Sequence, residues 1–209
     1  MINPFESISQ KNQEKLLQFL HGYTLNYPKE KQINDLIDDS DEIGVIISGH
    51  IQVTVNNYNG TISLIDEFKE NDIIGSSLLL YKNDECDIVA KEDTQIIVIS
   101  YSELISQNIN DKYYNQFIRN LFIILNEKIK EKNERIEILT KKTIRNKLLE
   151  YFNINSKKSG SRYIYLPFNF ADLANYLAVD RSAMSRELGY LKEEGIIEVK
   201  GKRITLLYR

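Results

Sequence analysis

The stretch Phe170–Gly195, FADLANYLAVDRSAMSRELGYLKEEG, decides how the rest of the chain is read. Phe170, Leu173, Ala174 and Leu177 recur at helical spacing, and so do Met184, Leu188 and Leu191. Two short helices are therefore predicted, each with one apolar face, joined by a tight turn at Ala178-Val179. Asp180 suits the N-cap of the second helix and Gly195 the residue just past its end. The polar side chains left on the first turns of that helix are Arg181, Ser182, Ser185 and Arg186. Arginine can grip guanine through two hydrogen bonds, and serine hydroxyls or a helix N-terminus can hold phosphates and base edges. An ordinary helical hairpin with a solvated polar face has the same composition, so the flanking sequence has to decide.

Downstream, Ile196–Val199 and Arg203–Leu207 alternate around Lys200-Gly201-Lys202, which predicts a β-hairpin with a basic tip. A basic hairpin beside a reading helix is a wing, with Lys200, Lys202 and Arg203 placed to meet phosphates. Upstream, Asn169 is positioned to cap the first helix, and Tyr163–Pro167 reads as a short edge strand stopped by proline. Asn155–Ser161 (NSKKSGS) reads as a polar loop, preceded by Lys141, Lys142 and Arg145 and a helix carrying Leu148, Leu149, Tyr151 and Phe152. A winged helix-turn-helix is therefore expected over residues 141–209.

Further outward lies the longest helical stretch, Tyr113–Leu139, within a segment set at residues 111–140. Ile118, Phe122, Leu125, Ile129, Ile136 and Leu139 form an alternating four-and-three seam, interrupted only by Lys132. Charged residues of both signs surround it, and the narrow seam predicts a two-stranded dimerisation helix in which Lys132 fixes register or marks a hinge.

Residues 1–110 have a different texture. After a short amphipathic helix over Ser9–His21, the period changes to two: Val45 and Ile47, then Ile51, Val53 and Val55, with Gly49 as a turn between them. Asn59-Gly60 before Ile62 and Leu64 is a strong hairpin signal. Strand-like runs recur at Ile88–Ala90 and Gln95–Ile99. Short strands without crossover helices predict an antiparallel barrel or roll, and the fold class is α+β.

The net charge of −3 hides an asymmetry. Residues 1–110 hold 7 Lys+Arg against 18 Asp+Glu, a net of −11, and residues 111–209 hold 20 against 12, a net of +8. Only the basic part is suited to a polyanion. The single cysteine, Cys86, excludes an internal disulfide and an iron–sulfur cluster. A polar N-terminus (MINPFESISQ) and no apolar run near the roughly 20 residues of a membrane span point to a cytoplasmic protein.

With roll, long helix and winged helix in this order, the whole chain resembles the CRP/FNR family of bacterial transcription regulators. The resemblance is carried by LANYLAVDRSAMSRELGYLKEEGII (173–197), by IGVIISGHIQVTV (43–55), which is similar to the family's strand–Ser-Gly–strand pattern, and by NDIIG (71–75), which is similar to its Gly-Asp-x-x-Gly turn. Within the family, residues 140–152 and VDRSAMSREL look most like the HcpR-type branch and related clostridial regulators.

The resemblance implies a cyclic-nucleotide-binding-like jelly roll and a homodimer on a pseudo-palindromic site, with RNA polymerase as a further partner if the protein is an activator. It matches Arg181 and Arg186 to the family's two DNA-contacting arginines. It also shows departures: Ser182 stands where many members have Glu, and Ala178 replaces the usual turn glycine. The implied effector pocket reads Gly75-Ser76-Ser77, and the implied phosphate region, Asn83–Asp87, holds three acids without an arginine. That argues against a cyclic nucleotide, whose phosphate is an anion. No cofactor is expected. A heme- or thiol-based redox or nitric-oxide sensor of the same fold is the alternative, with His21, His50, a tyrosine or Cys86 as the available ligands. A cupin-like metalloenzyme with a DNA-binding tail is a remote one, since such sites need closely spaced histidines beside a carboxylate.

Overall fold

The computed structural model describes residues 2–33, 41–56, 58, 62–75, 86–106, 111–167 and 169–208, which fall into two compact units, Met1–Ile129 and Lys130–Arg209. The first unit opens with α1 (Gln10–Phe19) and continues through β1 (Tyr23–Tyr27), β2 (Glu42–Ser48), β3 (His50–Asn56), β4 (Ile62–Lys69), β5 (Ile73–Gly75), β6 (Asp87–Ala90) and β7 (Thr94–Ser100). It closes with α2 (Tyr101–Ser106) and the start of α3 (Lys112–Leu139). The strands form two antiparallel sheets, ordered β1-β7-β2-β5 and β4-β3-β6, and this is the expected roll.

Between the sheets lies a core of Ile46, Ile51, Val53, Phe68, Ile74, Ile88, Ile96 and Val98. The other face of the four-stranded sheet is also covered: Ile43, Val45, Ile73 and Ile99 pack with Leu16 and Leu20, Leu104 of α2, and Phe117, Leu121 and Ile124 of α3. Burial on both faces explains why Ile43–Ile46 and Ile96–Ile99 are nearly unbroken apolar runs. The expected in-and-out alternation therefore fails in β2, where Ile43, Gly44, Val45 and Ile46 are all buried, and holds in β3.

Gly49 is a sheet-to-sheet corner and not a hairpin turn, because β2 pairs with β5 and β7 while β3 pairs with β4 and β6. Its φ is +102°, and a Cβ there would lie 2.3 Å from Thr94 Oγ1 and 2.6 Å from Thr94 Cα, so only glycine fits. β3 and β4 pair from His50↔Lys69 to Asn56↔Ile62, and the Asn59-Gly60 turn between them lies outside the described residues.

The second unit takes the end of α3, then α4 (Ile144–Ser159), β8 (Tyr163–Tyr165), α5 (Phe170–Tyr176), α6 (Arg181–Glu193), β9 (Ile197–Lys200) and β10 (Arg203–Leu206). The polar segment expected to be a loop at Asn155–Ser161 is helical as far as Ser159. Gly160, in a left-handed conformation (φ 62°), ends α4 with its N–H on Lys157 O. Asn155 Nδ2 donates to Tyr151 O and Ser159 Oγ to Asn155 O, so polar side chains that would favour a loop turn back onto the helix. The three helices and the sheet β8-β10-β9 enclose Ile138, Leu148, Phe152, Leu173, Leu177, Met184, Leu191, Ile197 and Ile204.

Candidate nucleic-acid interface

α6 starts where its sequence says it should. Asp180 Oδ1 accepts from the Ala183 N–H at 2.8 Å, and Gly195 (φ 68°) follows the C-cap Glu194. Met184, Leu188 and Leu191 are buried on one side, which leaves Arg181, Ser182, Ser185 and Arg186 exposed together on the other. The pairs 181/185 and 182/186 are each one turn apart, so two guanidiniums and two hydroxyls share about one and a half turns of surface. Neither arginine makes an ion pair among the described residues, and this leaves both donor forks available to a ligand. Gly189, one turn beyond Ser185, has open space where a Cβ would stand, so packing does not demand its small size.

α5 is capped by Asn169, whose Oδ1 accepts from Ala171 N–H (2.8 Å) and Asp172 N–H (3.0 Å). That oxygen is committed to the cap, and the amide nitrogen is the group that Asn169 could turn towards a phosphate. Between α5 and α6 the chain turns through Ala178 at φ +50°, the left-handed conformation that favours glycine. The turn is held by Ala178 N–H to Asn175 O (3.1 Å) and Val179 N–H to Ala174 O (3.0 Å).

Two residues that sequence reasoning left without a role hold the helix pair in place, Arg145 at α6 and Lys147 at the end of α5. Arg145 of α4 forks onto Glu194, with its Nη1 2.9 Å from Oε1, and also reaches Glu187 Oε1 at 3.4 Å, so its guanidinium holds the Glu194 carboxyl below the usual range. Lys147 Nζ donates to Leu177 O at 3.0 Å and satisfies a carbonyl at the end of α5. Both contacts join residues at least 30 positions apart, which leaves no local sequence signal.

The wing forms as expected, with Arg203↔Lys200 closing β9 and β10 around Gly201 (φ 59°) and Lys202. β8 adds a third strand, with Arg203↔Tyr165. Lys202 is exposed at the tip, and Lys200 Nζ is 2.9 Å from Glu198 Oε1. Arg203 lies over the Tyr163 ring at 5.7 Å, and its buried Nε has no hydrogen-bond partner among the described residues.

The seven seam positions of α3 are not equivalent. Phe122 (66% exposed), Ile129 (56%) and Ile136 (58%) stand out in a row seven residues apart, while Ile118 and Leu125 also pack partly on the first unit. Lys132 is exposed and Leu139 half-buried. The opposite face, Tyr114, Phe117, Leu121 and Ile124, is the one buried against the roll, so the helix is apolar on two sides.

In the roll, Gly75 is buried, with its would-be Cβ 2.9 Å from Glu42 O; Ser76, Ser77 and residues 83–85 lie outside the described residues. Asp87 is held by Gln32 Nε2 (3.3 Å) and Asn56 Nδ2 (2.8 Å), and its charge disfavours a cyclic phosphate beside it. His50 Nε2 lies 3.3 Å from Glu67 Oε1, close but not aligned as a hydrogen bond, and His21 is on the surface. The His50 contact, aided by a hydrogen bond from Gln52, holds the Glu67 carboxyl down at about 2. Cys86 is half-buried. Among the described residues no three His, Cys, Asp or Glu side chains gather as a metal site, and no helix is long and apolar enough to cross a membrane.

Residues 144–209 match the Crp-like helix-turn-helix domain, and residues 26–107 match the cyclic nucleotide-binding domain. The chain belongs to the CRP/FNR family of transcription regulators. Solved structures share its fold. A CooA variant from Carboxydothermus hydrogenoformans superimposes with a TM-score of 0.74 at 19% identity, covering 99% of this chain and 92% of that one. A cysteine-to-serine variant of CprK complexed with OCPA gives 0.68 at 19% identity, over 93% and 89% of the two chains. CLP of Xanthomonas campestris, described as a c-di-GMP responsive global regulator, gives 0.64 at 15% identity over 96% and 100%. Curated protein sequences gave no match. As a CRP/FNR regulator the chain is a DNA-binding protein of transcription, with the helix-turn-helix at α5–α6 and a cyclic-nucleotide-binding-like roll at its N-terminal side.

Proposed function

We propose that the protein is a homodimeric, sequence-specific regulator that places α6 in the major groove of a pseudo-palindromic operator and does not depend on a cyclic nucleotide. The observation that carries this reading is the exposed set Arg181, Ser182, Ser185 and Arg186, backed by buried Met184, Leu188 and Leu191 and clamped by Arg145 and Lys147. Arginine on base edges supplies direct readout, while the serines, the α6 N-terminus and Lys202 hold phosphates and set register. Ser182 brings a hydroxyl, and no carboxylate, to the position facing the bases. A hydroxyl both donates and accepts, so it discriminates for the cytosine amine less strictly than the acceptor-only carboxylate of Glu would.

The exposed row Phe122, Ile129 and Ile136 supports pairing of two α3 helices. A dimer of this kind presents two α6 helices to half-sites about 34–36 Å apart, one turn of B-DNA. Genome-wide mapping of bound sites, followed by footprinting with effector-free protein, tests the reading. It predicts a two-fold related motif with half-sites about 10–10.5 base pairs apart, centre to centre. Binding without sequence preference, or to a single half-site only, contradicts it, and failure of effector-free protein to bind its own operator contradicts ligand independence.

A further inference from the structure

We propose that the roll contains a binding cage for a primary alkylammonium group and that the chain fills this cage itself, with Lys128 of α3 as an internal effector. Lys128 Nζ donates to Glu67 O and lies 3.1 Å from Asp72 Oδ2 and 3.7 Å from Asp66 Oδ1, with the Phe68 ring centroid 4.5 Å away. The Glu67 carbonyl and the Asp72 carboxylate accept hydrogen bonds from the ammonium, and the Asp66 carboxylate and the aromatic face add electrostatic attraction. The side chains are 15%, 6% and 12% exposed for Lys128, Asp72 and Asp66.

The cage is built by backbone independently of the lysine. Asp72 Oδ2 accepts from Lys69 N–H (2.9 Å), its carbonyl accepts from Ile46 N–H (3.0 Å), and Asn71 before it stands at φ +72°. Asp66 Oδ1 accepts from Glu67 N–H (2.9 Å), beside the β3–β4 register shift at Val53/Thr54. Two nearly buried carboxylates fixed in this way make a site that is costly to leave empty.

Its position gives the cage a regulatory consequence. Asp72 belongs to the turn Asn71–Gly75 that leads into Gly75-Ser76-Ser77, the segment expected to hold an effector. Lys128 ties this turn directly to α3, between Leu125 and Ile129 of the seam. A contact that a ligand could make or break is thus made by the chain, which leaves the roll closed on α3 without a ligand. The link to DNA rests on the function proposed above; the cage does not.

Lys128→Ala removes a side chain whose remainder is n-propylammonium, and that ion is the probe. Tens of millimolar n-propylammonium chloride should raise the melting temperature of Lys128→Ala by several degrees over an equal concentration of sodium chloride, and leave the wild type unmoved. The same variant should bind the operator at least tenfold more weakly, with n-propylammonium restoring most of the loss and n-propanol none. Lys128→Met keeps the length without the charge; it should bind weakly and gain nothing from the amine, and it serves also if the alanine variant does not fold. Absence of a melting shift in Lys128→Ala, or a shift equal to that of Lys128→Met, overturns the cage. If the shift occurs but operator affinity stays at the wild-type level in both variants, the effector role is overturned and the cage stands. Wild-type protein that binds no operator counts against the DNA reading alone.

Discussion

Ala178→Gly should stabilise the DNA-binding unit. Ala178 sits in the left-handed region at φ +50°, where an L-residue with a Cβ is disfavoured by about 1–2 kcal/mol relative to glycine. Glycine loses part of that advantage because it is freer in the unfolded chain, by about 0.4–1 kcal/mol. Ala178 is exposed, so its methyl group contributes little burial to lose. The conformation is held by hydrogen bonds on both sides, from Ala178 N–H to Asn175 O and from Val179 N–H to Ala174 O, and Lys147 grips Leu177 O. These bonds survive the substitution, so the turn cannot relax to escape the strain and the net gain is about 0.5–1 kcal/mol. For a unit of this size, Lys130–Arg209, that is a rise of about 2–8 °C in the melting of its own transition. Calorimetry or thermal circular dichroism of the full chain measures it, with Ala178→Val as the control that should fall, since a β-branched side chain tolerates this region less. A glycine variant that melts at or below the wild type would refute the assignment of strain to this turn.

Three further outcomes follow from other parts of the molecule. Ile129→Glu combined with Phe122→Glu places carboxylates in the exposed row of α3 and, if two copies pair there as proposed, should give monomers in sedimentation where the wild type gives dimers, with a normal circular dichroism spectrum. Lys202→Ala should weaken binding to all sequences alike and reduce the slope of log affinity against log salt by about one; an unchanged slope removes the wing tip from the contact. The third concerns acid stability. Glu67 is depressed to about 2 in the folded roll from an ordinary value of 4.5, so its contribution is full above pH 4.5 and is lost as pH falls from there towards 2. Glu67→Gln should therefore flatten the acid limb of a stability-against-pH curve and leave its shape above pH 5 unchanged.

The order of elements was legible wherever a local rule governs a short segment. Asp180, Asn169 and Gly195 occupy the caps they were expected to occupy, because capping depends on residues within three positions. The exposed apolar row Phe122, Ile129 and Ile136 follows the seven-residue period readable in the sequence, whereas Ile118, Leu125 and Leu139, expected on the same seam, are partly buried. What was missed depends on long-range pairing. The second apolar face of α3, Tyr114, Phe117, Leu121 and Ile124, has meaning only once the roll is beneath it, and the same burial turned β2 from an alternating strand into a continuous one. Asn155–Ser161 looked like a loop because serine and asparagine compete with the helix, yet the side chains of Asn155 and Ser159 return to α4 carbonyls. Nothing near Arg145 in sequence points to its role, because its partners Glu187 and Glu194 lie 42 and 49 residues away. Lys128 was read as one charge among several around the seam, and nothing near it in sequence reveals Asp66, Asp72 and Phe68 as its cage.

The central claim is that α6 reads bases through Arg181. The direct measurement is the affinity of wild-type and Arg181→Ala protein for the mapped operator and for duplexes carrying each single-base change in one half-site, at fixed salt. The account predicts that Arg181→Ala loses about 1–3 kcal/mol on the operator and no longer distinguishes the bases at one position, while discrimination elsewhere persists. Unchanged affinity together with an unchanged base preference at every position would contradict it.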